Sequence, residues 1–191
     1  MQAKQRILTC ALDELQRSGV ERFSLRAVGA AAGITPMAVY RHYRNREELL
    51  AAAGEEAFSV WKARIGAIKA ARPLDWLRQA GRGYAEFALD EPAFFDACFV
   101  LHTSVERLYP ADFIAGKSPV IGLVVKRIEE AQAQGTLASG NALEAGMALW
   151  AQVHGLVMLH RSGRFAMKRK DYLGLCARCI ELVLAGLGGR R

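Results

Sequence analysis

Apolar residues return every three or four positions along most of the chain, and glycine, proline or capping residues interrupt them at intervals that suit helices. Ile7, Leu8, Ala11, Leu12 and Leu15 make a stripe on a first helix that ends near Ser18-Gly19. Leu25, Val28, Ala31 and Ala32 repeat at helical spacing on a second, which Ser24 can cap and Gly33 stops. Thr35 and Pro36 open a third, with Val39 facing the second helix and Tyr43 closing the small core. From Arg46 a long helix is expected through Leu50, Ala53, Ala57, Val60, Trp61, Ile65 and Ile68 to the Arg72-Pro73 stop. At about 26 residues it spans roughly 39 Å.

Further helices are expected over 74–89, from Pro92 to about His102 and from Ser118 to about Gln134. Ser118-Pro119 offers a cap and a first-turn proline for the last of these. The stretch from Thr103 to Lys117, with Pro110, Asp112 and Gly116, is the least regular. Asn141 and Glu144 form a cap pair for a helix carrying Leu143, Met147, Trp150, Val153, His154, Val157 and Met158, apolar nearly all round and therefore in need of more than one neighbour. A final helix runs from Asp171 to about Leu187. The expected fold is all-α: a three-helix head followed by an antiparallel helical bundle, which dimerises through its last two helices by forming a four-helix interface with the same pair of a second copy.

The uncharged run from Ala145 to His160 falls short of the roughly 18 to 20 apolar residues that span a bilayer and holds two histidines, so no membrane is expected. The chain opens Met-Gln-Ala-Lys directly into an amphipathic helix without a signal peptide, which points to the cytoplasm.

Residues 24–43 have the chemistry of a helix-turn-helix. Gly33 sits where a chain leaving a helix commonly takes positive φ, which glycine adopts without a Cβ clash. Thr35 has the oxygen to accept from the orphan amides of the next turn, and Pro36 lacks an amide hydrogen that would be orphaned there.

Charge agrees. Between Arg22 and Arg46 lie five arginines (Arg22, Arg26, Arg41, Arg44, Arg46) and no carboxylate, with Glu21 and Glu47 just outside. A phosphate-facing surface needs that gap, because the DNA backbone supplies much of the affinity. The overall charge of +7 is the weaker signal.

This segment and its continuation Arg44-Asn45-Arg46-Glu47-Glu48-Leu49-Leu50 resemble the TetR-type bacterial transcriptional regulators, over roughly residues 3 to 52. Trp150-Ala151-Gln152-Val153-His154-Gly155 is similar to the Trp-x-x-x-His-Gly signature of one class of carboxy-terminal domains in that family. The resemblance implies a helix-turn-helix domain over 1–45 and a ligand-binding and dimerisation domain over 46–191. It implies that Thr35, Pro36, Met37, Ala38 and Arg41 lie at base edges of a double-stranded operator, and that Ser24, Arg26, Tyr40, His42 and Arg46 hold phosphates. The chemistry suits: Arg41 can pair bidentately with guanine, and Pro36 and Met37 can touch a thymine methyl. For Tyr40 and His42 the lesser alternative is packing in the small three-helix core. Gly29 stands where the family usually has Ala, and either permits close helix approach or costs the helix about 1 kcal/mol.

Phe58, Trp61, Tyr84, Phe87, Phe95, Phe99 and Trp150, with His102 and His154 as polar anchors, are candidates to line a pocket for a small hydrophobic or aromatic effector. The expected function is an effector-responsive repressor, a homodimer on a palindromic operator and released by its ligand. The alternative is a DNA-organising or cell-cycle factor that uses the same head without an effector. An enzyme is disfavoured, since no metal-ligand set, phosphate-cradling glycine loop or nucleophile-base pair is recognisable. No cofactor is expected. Cys176 and Cys179 lie within a helix and read as core, Cys10 and Cys98 as buried thiols, with no disulfide framework.

Overall fold

In the computed structural model, which describes residues 3–100 and 107–188, the described residues form ten helices and no strand. They divide between two compact units, the first made of 1–61 and 90–106 and the second of 62–89 and 107–191.

In the first unit the leading stripe becomes α1 (Ala3–Ser18), with Ile7, Ala11 and Leu15 enclosed. It packs on α2 (Leu25–Ala31), and α2 packs on α3 (Pro36–Tyr40). Val28 and Val39 meet no solvent, and burial of each such side chain stabilises the unit by about 1.5–3 kcal/mol. Gly33 takes φ +66 at the corner. Gly29 lies in the tight approach of the two helices: a Cβ there would stand 3.1 Å from the Ile34 carbonyl oxygen and 3.4 Å from Val39 Cγ2. Of the two roles open to it in the sequence, close approach is the one realised.

The next helix, α4, covers Arg46–Gly66 and stops a turn and a half before the expected Arg72. Ile65 is its last enclosed apolar residue, Gly66 is a weak helix former, and the amide of Ile68 reaches only back to Ile65 in a tightened final turn. Without a buried face there was nothing to hold a further turn. After α5 (Pro73–Asp90), whose residues up to Leu89 belong to the second unit, the first unit is completed by α6 (Pro92–Phe99), which packs on α1. This helix ends at Phe99, and His102 lies outside the described residues.

The second unit holds α5 together with α7 (Ala111–Ile114), α8 (Pro119–Ala133), α9 (Ala142–Arg161) and α10 (Arg169–Gly186), with α9 packed against both α8 and α10. The segment read as irregular contains α7, a single turn organised by Asp112, whose carboxylate accepts from the Leu108 amide at 2.9 Å and from Lys117 Nζ at 2.7 Å. Ser118 occupies the cap position of α8, but its side chain makes no capping bond. Asn141 does cap α9, accepting from the amides of Leu143 and Glu144 at 3.0 and 3.3 Å while its own amide donates to the Glu144 carboxylate. Cys176 is buried, whereas Cys10 and Cys98 are only half-buried. Among the described residues one helix, α9, is long and apolar enough to cross a membrane. Val153, Leu156 and Val157 are nevertheless buried and His154 is hydrogen-bonded, as in a helix at the centre of a bundle.

Candidate nucleic-acid interface

Five residues of helix are enough to present a face when the turn before them is fixed. Thr35 has extended backbone and its Oγ1 accepts from the Ala38 amide at 3.2 Å, so the first turn of α3 is capped and the hydroxyl proton is left to donate outward. Ser24 does the same for α2, accepting from the Ala27 amide at 3.4 Å. Val39 is the buried anchor of α3, and the rest of the helix turns to solvent.

Thr35, Pro36, Met37, Tyr40, Arg41 and His42 are exposed, Met37 at 69% and Tyr40 at 46%, while Ala38 is half-buried. Large apolar and aromatic side chains left this open on a short helix are costly in water and suit a surface that is covered in use. Tyr43, by contrast, is buried, and burial raises its phenol above the usual tyrosine range.

The arginines divide by what they already hold. Arg44 is tied to Glu48, whose carboxylate accepts its backbone amide at 2.7 Å and its Nε at 3.2 Å; the amide bond is the larger reason that Glu48 titrates below its usual range. Arg22 reaches the Ser18 carbonyl at 3.3 Å. Arg46, expected on phosphate, is half-buried with Nε on the Phe23 carbonyl at 3.1 Å and Nη2 on the Val20 carbonyl at 2.5 Å, its guanidinium over the Phe23 ring. It ties the start of α4 to the turn after α1. Arg26 and Arg41 stay exposed and make no ion pair among the described residues. Lys4, absent from the sequence reading, sits 5.5 Å from the Tyr43 ring centroid and brings a further cation to this unit.

Within each unit several of the aromatic candidates touch one another. In the first unit Phe99 meets Phe58 and Trp61 edge-on, both at 6.4 Å, and Phe95 at 5.1 Å. In the second, Trp150 Nε1 donates to the Tyr84 hydroxyl at 3.2 Å, and the same hydroxyl lies 2.8 Å from His154 Nδ1. Burial lowers the His154 pKa and favours its neutral ring. Phe87 is buried with the Arg64 guanidinium over its face. Phe113 stacks on Trp150 at 6.3 Å; it was missed because its segment has no helical period to give it a facing.

Residues 7–53 match the family model for bacterial regulatory proteins of the tetR family, and residues 77–182 match that for the tetracyclin repressor-like C-terminal domain. Among solved structures, a protein of unknown function from Rhodococcus sp. RHA1 is 22% identical with a TM-score of 0.80, covering 99% of this chain and 97% of that one. RolR in complex with resorcinol is 15% identical with a TM-score of 0.71, over 98% of this chain and 88% of its own. The TetR-family regulator PfmR from Thermus thermophilus is 21% identical with a TM-score of 0.65, over 97% and 100%. At these identities the likeness is one of fold, and the two family matches carry the assignment. The chain belongs to the TetR family of bacterial transcriptional regulators, which are DNA-binding factors rather than enzymes.

Proposed function

We propose that this protein is an effector-responsive repressor that binds a palindromic operator as a homodimer in the cytoplasm, with residues 1–45 reading DNA and 46–191 joining the copies and sensing the ligand. The observation that carries the reading is the outward face of α3, where Met37 and Arg41 stand exposed on a helix anchored by Val39 and capped by Thr35. In the major groove Arg41 pairs with guanine and Pro36, Met37 and Ala38 meet thymine methyls, while Thr35 donates its hydroxyl proton to a base edge or the adjoining backbone. Ser24, Arg26, Tyr40 and His42 fix the register on phosphate. Arg46 supports them through its hold on residues 20 and 23.

A dimer is supported by what α9 and α10 leave uncovered. Ala148, Ala151, Gly155, Met158 and Leu159 follow one another along an exposed stripe of α9, and Leu182 is 73% exposed on α10. Small residues on α9 let a second helix approach closely, and no atom lies within 4 Å of a Cβ placed on Gly155. Two recognition helices on a two-fold then read half-sites about 34 Å apart.

An effector site is supported by the Tyr84–His154–Trp150 group, a polar cluster among aromatic rings. RolR, of the same fold, binds resorcinol, and a further neighbour is described in connection with a bacterial hormone and antibiotic production. A neutral imidazole and a phenol suit an uncharged aromatic compound bearing hydroxyl or carbonyl groups. The test is selection of duplexes from a random library by the purified protein, followed by titration of the best site with such compounds. Recovery of a palindrome released by one of them is expected, and a protein that enriches no sequence would overturn the reading.

A further inference from the structure

Lys4 stands outside the run of arginines between Arg22 and Arg46, and nothing so far gives it a role. It is exposed in the first turn of α1, one turn before Ile7 on the stripe that continues through Ala11, so its stem follows the edge of the small core. Its Nζ lies 5.5 Å from the centroid of the buried Tyr43 ring and makes no ion pair or hydrogen bond among the described residues. No carboxylate occurs from Met1 to Leu12.

Tyr43 fixes where that ammonium stands. The amides of His42 and Tyr43 both donate to the Val39 carbonyl, at 2.9 and 3.0 Å, so residue 43 is held against the end of α3, two residues beyond Arg41 and three beyond Tyr40. Within the first unit the amino end of α1 and the carboxy end of the recognition helix are therefore neighbours. Two other charges lie here, Arg44 and Glu48. The Glu48 carboxylate accepts from the Arg44 amide and Nε; the amide bond is the chief reason that it titrates low, and the field of Lys4 is the least. With Arg44 answering Glu48, the positive charge of Lys4 is left over.

We propose that Lys4 is a phosphate contact of the recognition unit, docking the amino end of α1 on the DNA backbone beside the carboxy end of α3. It rests on the operator-binding reading above. Arg22, Arg44 and Arg46 spend donors on carbonyls or on Glu48. The Tyr43 ring instead holds the Lys4 ammonium through its face, which leaves three N–H donors for an anion. A charge restrained in place before binding loses less freedom when it binds. A cation in the first turn of a helix also runs against the macrodipole, and a phosphate lying over that turn turns the interaction favourable. An ammonium on a phosphate carries no base information, so Lys4 adds affinity and register without altering sequence choice.

The experiment measures affinity of the full chain for the selected operator, with flanking duplex on both sides, across a salt series. In Lys4→Gln the slope of log affinity against log salt is expected to shrink by about 0.9 per protomer, the contribution of one phosphate contact. Base preference and the unfolding midpoint stay as in the wild type. Lys4→Arg keeps the slope, because a guanidinium also sits on an aromatic face and binds phosphate. The control is Arg6→Gln: Arg6 is exposed about 200° further round α1, so the same charge is removed from the same helix on a side turned away from Tyr43, and the slope is unmoved. Equal reductions in Lys4→Gln and Arg6→Gln would mean a diffuse effect of net charge and overturn the contact. An unmoved slope with an earlier unfolding midpoint in Lys4→Gln would assign the side chain to sheltering Tyr43 and likewise overturn it. If the wild type selects no duplex at all, the operator reading falls and the contact with it. Selection that depends on Arg41, with a slope indifferent to Lys4→Gln, removes the Lys4 contact alone.

Discussion

Arg46 donates its Nε–H to the carbonyl oxygen of Phe23 at 3.1 Å, a bond across 23 residues of sequence that locks the first turn of α4 to the segment after α1. The neighbouring bond to Val20 and the face of Phe23 complete the clamp. Hydrogen bonds from a charged donor contribute about 1.5–3 kcal/mol each at best. Arg46→Ala is accordingly expected to lower the unfolding free energy by about 2 kcal/mol, seen as an earlier denaturation midpoint at unchanged m-value. The salt dependence of operator binding stays near that of the wild type. A variant with an unmoved midpoint and a flattened salt slope would return Arg46 to the phosphate backbone.

What the sequence made legible was local. Ser24, Thr35, Gly33 and Asn141 act within three or four residues of themselves, and their caps and turn appear where they were expected. What it left open is decided by distant partners. The end of α4 depends on whether anything buries Ile68, and Arg46 is drawn to carbonyls 23 and 26 residues away. Ser118 has the chemistry of a cap, yet its side chain is buried and caps nothing. Phe113 meets Trp150 from α7, the turn in which Asp112 accepts from the Leu108 amide.

Arg41 and Arg26 are both exposed and carry no ion pair among the described residues, but they stand on different elements, one at the end of α3 and one in the first turn of α2. Arg41→Ala is expected to relax preference at one base pair per half-site by about 1–3 kcal/mol. Arg26→Ala weakens every sequence alike and reduces the salt slope by about 1 per protomer. Binding of each variant to a panel of single-base operator changes separates the roles. Identical, sequence-independent losses in both would abolish the division.

Gly33 holds φ +66, and a Cβ there would meet nothing within 4 Å, so backbone conformation alone sets the cost of replacing it. Gly33→Ala is expected to lose about 1–2 kcal/mol. Gly33→Asn loses less, because asparagine tolerates the left-handed region. Chemical unfolding of the pair checks this, and equal losses would assign the cost to crowding.

His154 is half-buried beside Tyr84 and Trp150, and that burial depresses its pKa below the ordinary 6.5. The unfolded chain takes up the proton first as pH falls, so stability present above about pH 6.5 is lost progressively as pH drops from there towards the folded-state pKa. Unfolding midpoints across pH 7 to 5 are expected to decline more steeply in the wild type than in His154→Gln. Parallel curves would mean that the imidazole ionises as freely in the fold as outside it.

Leu182 stands 73% exposed on α10, and the stripe through Ala151 and Gly155 on α9 meets no covering atoms at Gly155. If a second copy covers both helices, each Leu182 contributes about 1.5–3 kcal/mol by burial, and the two-fold counts it twice. Leu182→Lys is therefore expected to weaken self-association by at least 100-fold, since 1.4 kcal/mol is about a factor of ten. Gly155→Glu acts in the same direction by blocking close approach and burying a charge. In sedimentation experiments both variants run as monomers at concentrations where the wild type is dimeric. Their circular dichroism is unchanged, because both sites lie on the outer surface of their helices, yet affinity for the palindrome falls with the loss of the second reading head. Variants that stay dimeric and bind as the wild type does would place the contact between copies on another surface of the bundle.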